Sequence, residues 1–151
     1  MSKIMKEGKV ISVNISPGKG EKKTPLCGSG ELIAGHGFKD DGHSGNWHRQ
    51  VSLLAIESIE KMRKAGLEVG CGDFAENITT SEIDLPGLKI GQLIKIAETI
   101  VLKVTQIGKV CHNRCAIYYQ AGDCIMPKEG IFAEVISGGK IKTNDKITIE
   151  E

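Results

Sequence analysis

The fifteen residues VCHNRCAIYYQAGDC, at positions 110–124, contain the side chains best suited to chemistry. They hold three of the chain's five cysteines, with His112 and Arg114 between the first two. Cys111 and Cys115 are four positions apart, whereas the knuckle of a zinc ribbon has C-x₂-C spacing. The pattern therefore does not favour a structural zinc site.

Within this stretch, Arg114 lies directly beside Cys115. A neighbouring cation stabilises a thiolate over a thiol and lowers the pKa of the cysteine. A thiolate can attack an electrophile, carry a sulfur atom as a persulfide, or bind a soft metal. The alternative is that the three cysteines are small buried core residues, as free cysteines often are. The spacing alone leaves both alternatives open.

The N-terminal sequence and the composition of the chain bear on its cellular location and its partners. The N-terminal residues MSKIMKEGKV contain no apolar h-region, and no stretch approaches the ~20 apolar residues that span a bilayer. We therefore predict a cytosolic protein whose cysteines are reduced rather than paired. The net charge of +1 gives no indication of a nucleic acid or an anionic membrane as partner.

A second group of polar side chains lies in DDGHSGNWHRQ, at positions 40–50. His43 and His48, with the two aspartates before them, could bind a divalent metal. Alternatively, Arg49 and the backbone N–H groups of this glycine-rich turn could bind an oxyanion. The remaining alternative is a hydrogen-bonded loop without a ligand.

Two more glycine-rich loops carry polar residues. In GDFAENI (72–78), the carboxylates either accept hydrogen bonds from the loop backbone or hold a polar ligand. In GKGEKK (18–23), Lys19 is a weak phosphate-binding candidate. Because strands join four such loops, we expect the loops to gather at one end of a barrel around an anionic ligand, with Cys115 among them.

The hydrophobic pattern predicts a mainly β protein that closes into a barrel with one or two inserted helices. The helix candidate is VSLLAIESIEKMRKAG, ending at Gly66, although its first part, QVSLL, also fits a strand. The expected strands lie in 8–17, near 31–34, in two runs of 88–108 that meet at Glu98-Thr99, and in three runs of 131–150; residues 70–87 are expected to form a glycine-rich bend.

Five segments in order resemble the small stand-alone MOSC-domain proteins of bacterial type, named for the molybdenum cofactor sulfurase C-terminal domain. They are DDGHSGNWHRQVSLLAIESI, GDFAENI, VTQIGKVCHNRCAIYYQAGDC, MPKEGIFAEV and GGKIKTNDKI. The resemblance covers about residues 8–150 and implies a single MOSC domain over 1–151 with a barrel-like β fold.

The resemblance also implies a function connected with the molybdenum cofactor, molybdopterin. Its signature Arg-Cys pair corresponds to Arg114-Cys115, so Cys115 is expected to ligate molybdenum or to carry persulfide sulfur. Asn77 matches an asparagine of the pterin-phosphate pocket, but Ala75 stands where those relatives have an arginine; Arg49 or Lys19 could compensate.

The family offers two enzymatic roles, a sulfurtransferase and a component of a molybdenum-dependent reductase. The expected partners are a cysteine desulfurase or a molybdoenzyme. The third alternative is a non-catalytic binding module.

Overall fold

The computed structural model describes residues 5–16, 23–26, 28–42, 44–108 and 129–150. These residues form eleven strands, one α-helix and one 3₁₀ turn, and no helix among them is long and apolar enough to cross a membrane. The elements are β1 (Met5–Ile15), β2 (Thr24–Pro25), β3 (Gly30–Ile33), β4 (Gly37–Phe38), β5 (Val51–Ala55), α1 (Ile56–Lys64), β6 (Ile78–Ser81), the 3₁₀ turn (Leu85–Gly87), β7 (Leu93–Ile96), β8 (Ile100–Ile107), β9 (Ile131–Ser137), β10 (Gly139–Ile141) and β11 (Lys146–Glu150).

Seven of these strands form a closed barrel in the order β11, β7, β8, β9, β5, β6 and β1, because β1 also pairs with β11. The closing pair is antiparallel and runs from Met5 opposite Glu150 to Lys9 opposite Lys146. Closure leaves the barrel without a free edge. A small sheet of β10, β3 and β4 accompanies the barrel. The predicted mainly β, barrel-like fold is confirmed.

Strand β5 is buried on both faces. Leu53 belongs to the core inside the barrel, whereas Leu54 packs outside it with Ile59 of α1 and with Phe132 of β9. Two buried faces explain why VSLLA is continuously apolar or small and does not alternate. Of the two interpretations of this stretch, the strand is found, and the helix begins at Ile56.

Helix α1 ends where the sequence predicts. Gly66 has φ +100°, a left-handed conformation in which glycine carries little steric cost. Lys61, Arg63 and Lys64 lie in the last turn, where cations interact favourably with the helix dipole. The helix connects β5 to β6, which are parallel neighbours in the barrel.

The predicted hairpin in 88–108 is confirmed as β7 and β8, whose three-residue loop includes Ala97 and Glu98 at positive φ. The three runs of 131–150 are β9, β10 and β11. The interpretation of 70–87 as a bend is wrong for Ile78–Ser81, which forms barrel strand β6. This strand is only four residues long, so its β-branched residues gave no pattern that stood out from the flanking turns.

Candidate functional site

A buried ion pair joins two of the polar loops. Lys23 Nζ lies 2.9 Å from Asp41 Oδ1 and 3.2 Å from Oδ2, and the two side chains are 2% and 0% exposed. Asp41 Oδ1 also accepts a hydrogen bond from the Ser16 amide at 3.0 Å, and the Gly42 amide donates to the Ser16 carbonyl. Asp41 therefore fixes the chain on both sides of residues 17–22.

The contacts of Asp41 decide its ionisation. Burial acts to raise the pKa of this carboxyl, but the Ser16 amide, the Lys23 ammonium and Asn77 together hold the pKa below its ordinary value. The carboxylate is therefore charged at neutral pH and compensates the buried charge of Lys23.

Asn77 is buried and bonded within the protein. Its Oδ1 accepts hydrogen bonds from the amide and the hydroxyl of Ser52 on β5, and its Nδ2 donates to the Asn14 carbonyl of β1. These bonds join the 72–78 loop to two barrel strands. The contact of Asn77 with a cofactor stays a prediction, and the hydrogen bonds present give Asn77 a role in holding the loop.

Glu76 is completely buried and accepts hydrogen bonds from its own loop. The Gly72 amide donates to Oε2 at 3.0 Å, the Thr79 hydroxyl donates to the same oxygen at 2.7 Å, and the Phe74 amide donates to Oε1. Burial raises the pKa of Glu76 although these donors oppose the shift. Of the two alternatives for this carboxylate, backbone hydrogen bonding is the one found.

These contacts bring three of the four predicted polar loops together. The Asn14 amide donates to the Asn77 carbonyl at 2.7 Å, and a Cβ added to Gly72 would lie 2.7 Å from the Lys23 carbonyl oxygen. The described parts of the loops 18–23, 40–50 and 72–78 therefore lie together, whereas their arrangement around an anionic ligand stays a prediction. The fourth loop, 110–124, lies outside the described residues.

Arg49 and His48 converge on one side chain of β8. Gln106 Oε1 accepts hydrogen bonds from Arg49 Nε at 3.0 Å and from His48 Nε2 at 3.1 Å. The Thr105 hydroxyl donates to the His48 carbonyl, which holds the loop against β8. The structure thus brings two predicted ligand-binding residues together on Gln106, a residue that the sequence patterns did not indicate.

Arg49 also packs against an aromatic ring. Its guanidinium carbon lies 5.1 Å from the centre of the Phe132 ring, within the range of a cation–π interaction. Its terminal nitrogens make no hydrogen bond with the described residues. Two parallel N–H donors in this fork match the geometry of a phosphate or carboxylate.

The other predicted ligand-binding and catalytic residues lie outside the described part of the chain. These are Lys19, His43, Arg114 and Cys115. The segment that carries Arg114 and Cys115 follows Gly108, and the Gly108 amide donates to the Gly130 carbonyl at 2.7 Å. The chain therefore leaves and re-enters the described barrel at one place, two residues beyond Gln106.

The divalent-metal alternative for the 40–50 loop gains no support from the described residues. Among them, no group of three or more histidine, cysteine, aspartate or glutamate side chains could hold a metal ion. Asp41, one of the proposed ligands, is bonded to Lys23 and Ser16 instead. The guanidinium of Arg49 has the donor character that suits an anion.

The family model described as the MOSC domain matches residues 40–148. The chain belongs to the MOSC domain family. The match includes the Arg49–His48–Gln106 group and the Arg114-Cys115 pair, so all of these residues lie in the part of the chain that defines the domain. No curated protein matches the chain.

Solved structures share the same fold at low sequence identity. The YuaD protein from Bacillus subtilis is 18% identical with a TM-score of 0.80, and the alignment covers 99% of each chain. YiiM from Geobacillus stearothermophilus is 17% identical with a TM-score of 0.69, covering 98% of this chain and 76% of that one. YiiM from Escherichia coli is 19% identical with a TM-score of 0.65, covering 94% and 69%. These similarities concern the fold alone.

Proposed function

We propose that this MOSC protein binds the molybdenum cofactor through the phosphate of its pterin and presents Cys115 as the reactive thiol. The observation that carries the proposal is the convergence of Arg49 and His48 on Gln106. Gln106 lies two residues before Gly108, the last described residue before the segment that carries Cys115. Membership of the MOSC family supports the same class of ligand, because the family is linked to molybdenum cofactor sulfurases. A single domain over 1–151 would carry this function.

The donor chemistry of the described residues fits the anionic part of this cofactor. Arg49 offers two terminal nitrogens without a hydrogen bond to the described residues, and the exposed His48 ring stands next to it. A fixed guanidinium fork forms strong charge-assisted hydrogen bonds with phosphate oxygens. Lys19, His43 and Asn77 complete the proposed binding set as predictions from the sequence.

Cys115 supplies the second half of the proposed site. Arg114 next to it favours the thiolate, which is a suitable ligand for molybdenum in a dithiolene environment. When bound, the cofactor would supply redox chemistry at molybdenum. The protein would then serve in cofactor handling, in sulfuration or as part of a molybdoenzyme.

Metal and pterin analysis tests this proposal. The wild type, Cys115→Ser and Arg49→Ala are purified from a host that makes the cofactor and from one that does not. Arg63→Ala is the matched control, because Arg63 donates from Nε to the Val69 carbonyl on the exposed surface of α1. We expect molybdenum and pterin in the wild type and in the control, less pterin with Arg49→Ala, and less molybdenum per pterin with Cys115→Ser. A wild type from the cofactor-making host without either component would contradict the proposal.

The second candidate function is a persulfide carrier, which the adjacency of Arg114 and Cys115 favours. A cysteine desulfurase would pass the terminal sulfur of its own persulfide to the Cys115 thiolate and regain a free thiolate. Mass spectrometry after incubation with desulfurase and cysteine should then show one added sulfur atom in the wild type and none in Cys115→Ser. If neither test succeeds, the non-catalytic binding module is the remaining function.

A further inference from the structure

Gln106 forms hydrogen bonds with Arg49 and His48, and also with Gly108, after which the segment that carries Cys115 begins. We propose that Gln106 is a positioning residue that holds Arg49 and His48 in place for an oxyanion. This inference rests on the proposed function, because the oxyanion is the phosphate that the site would bind. It extends that function by naming the residue that orders the site.

The orientation of the Gln106 carboxamide follows from its neighbours. Nε2 donates to the Gly108 carbonyl at 2.7 Å, while Oε1 faces Arg49 Nε and His48 Nε2. Arginine Nε can only donate, so the oxygen rather than the nitrogen must face it. A flipped carboxamide would oppose the Arg49 donor with its own N–H groups and place its oxygen against the Gly108 carbonyl. The hydrogen bonds therefore permit one orientation.

The same argument determines the proton on His48. Because Oε1 only accepts, Nε2 of His48 must carry a hydrogen in both the neutral and the charged ring. The ring is therefore turned with Nε2 toward Gln106, which leaves Nδ1 to face a ligand. Nδ1 donates to an anion only in the charged ring and accepts in the neutral one. Gln106 thus sets both the direction and the tautomer of this histidine.

Arg49 is constrained at two points, neither of which involves its terminal nitrogens. Phe132 packs against the guanidinium and Gln106 accepts from Nε, while the terminal nitrogens have no hydrogen bond with the described residues. Ordering an arginine before a ligand arrives removes part of the entropy cost of binding. Without the acceptor on Gln106, the side chain would have to be ordered by the ligand itself.

Gln106 also reaches the strand end from which the Cys115 segment departs. It donates to the Gly108 carbonyl, and the Gly108 amide donates to the Gly130 carbonyl. The Gln106 carboxamide therefore contacts both Arg49 and Gly108, the last described residue before the segment that carries Cys115. An anion bound at Arg49 would accordingly lie near Gly108, where the segment with the Cys115 thiol begins.

Two substitutions separate the roles of the carboxamide. Both variants lose the N–H that donates to the Gly108 carbonyl. Gln106→Leu also removes the acceptor for Arg49 and His48, whereas Gln106→Glu keeps that acceptor and adds a negative charge. Gln92→Leu is the control, because Gln92 Oε1 accepts from the Lys89 amide in a different loop. Arg49 Nε–H is observed by ¹⁵N NMR, inorganic phosphate is the binding probe, and thermal unfolding shows whether each variant folds.

We expect Gln106→Leu to broaden or shift the Arg49 Nε–H signal and to weaken phosphate binding about tenfold, the equivalent of one charge-assisted hydrogen bond. Gln106→Glu should keep the Arg49 signal and still weaken binding, because its carboxylate repels phosphate. The control should change neither quantity.

Two contrary results have different meanings. An unchanged Arg49 Nε–H signal in a folded Gln106→Leu variant would overturn the positioning role, whatever the wild type binds. A wild type that binds no phosphate would overturn the anion site of the proposed function. In that case, loss of the Arg49 signal in Gln106→Leu would still support the ordering of Arg49 by Gln106.

Discussion

Lys23 and Asp41 form an ion pair buried among three polar loops, with Nζ 2.9 Å from Oδ1. The two residues are 18 positions apart and come from different loops, and neither offers a sequence pattern that would pair them. Asp41 also anchors the Ser16 amide. Removal of the carboxylate therefore tests whether this pair holds the loops together.

Asp41→Asn should destabilise the protein strongly. The substituted amide can still accept a hydrogen bond, but it removes the negative charge that lies 2.9 Å from the buried Lys23 ammonium. Breaking a buried pair from one side costs about 3–5 kcal/mol of unfolding free energy, measured by denaturant titration. The double variant Lys23→Met with Asp41→Leu should lose less than the sum of the two single changes. Additive losses would show that the charges do not interact.

The pH dependence of stability should carry opposite contributions from two carboxyls. Asp41 has a lowered pKa, so its stabilising contribution is present above its ordinary value of about 3.9 and is lost as the pH falls through the lower folded value. Glu76 has a raised pKa, so its contribution is largest at low pH and decreases as the pH rises above about 4.3. Unfolding free energies of the wild type and Glu76→Gln between pH 3 and 8 should show a flatter decrease in the variant on the neutral side. Equal slopes would contradict the assignment to Glu76.

Neighbouring threonines on β6 should respond differently to the same substitution. Thr79 donates to Glu76 Oε2 and accepts from Asn14 Nδ2, whereas the buried hydroxyl of Thr80 has no hydrogen-bond partner among the described residues. Thr79→Val should cost about 1–3 kcal/mol because it leaves buried polar atoms unpaired. Thr80→Val should leave the unfolding free energy unchanged within about 0.5 kcal/mol or raise it. A larger cost at Thr80 than at Thr79 would refute the hydrogen-bond assignment.

Two glycines at positive φ should differ in their tolerance of alanine. Gly72 has φ +88° and a Cβ there would meet the Lys23 carbonyl oxygen, whereas Gly35 has φ +72° with open space around it. Gly35→Ala should cost about 1 kcal/mol from the backbone conformation alone. Gly72→Ala should cost clearly more, since the added methyl group also displaces the loop that carries Lys23. Thermal unfolding of both variants measures the difference, and equal costs would show that the contact is easily relieved.

The reactivity of Cys115 should depend on Arg114. If the guanidinium sustains a thiolate, Arg114→Ala should slow alkylation of Cys115 at neutral pH, followed by mass spectrometry of the modified peptides. Cys71, which is free and half-buried, serves as an internal reference thiol in the same sample. An unchanged ratio of the two alkylation rates would remove the electrostatic argument for Cys115.

The fold was predictable where patterns are regular. The β7–β8 hairpin, the strands after residue 130 and the end of α1 just before Gly66 follow from alternation and turn residues. The short β6 was missed because four residues give little periodicity. Its register beside β5 depends on tertiary packing that the sequence does not display.

The candidate site was predictable in part. Arg49 and His48 were indicated by residue type, but Gln106 occupies an ordinary polar position in the alternating strand IVLKVTQI. Its contact with Arg49 and His48 depends on the pairing of β8 with β9, which brings Gln106 opposite Phe132 and near the loop before β5. Such a contact depends on strand order, which residue spacing does not encode.

The hydrogen bond from the Gly108 amide to the Gly130 carbonyl has a consequence for how this domain can change over evolution. It places the exit and the return of a long excursion at a single hairpin position between β8 and β9. A connection of different length could therefore stand in place of residues 109–128 while Ile107 still pairs with Ile131. Changes in residues 109–128 could then alter the chemistry presented to Arg49 and Gln106 without a change in the strand order of the barrel.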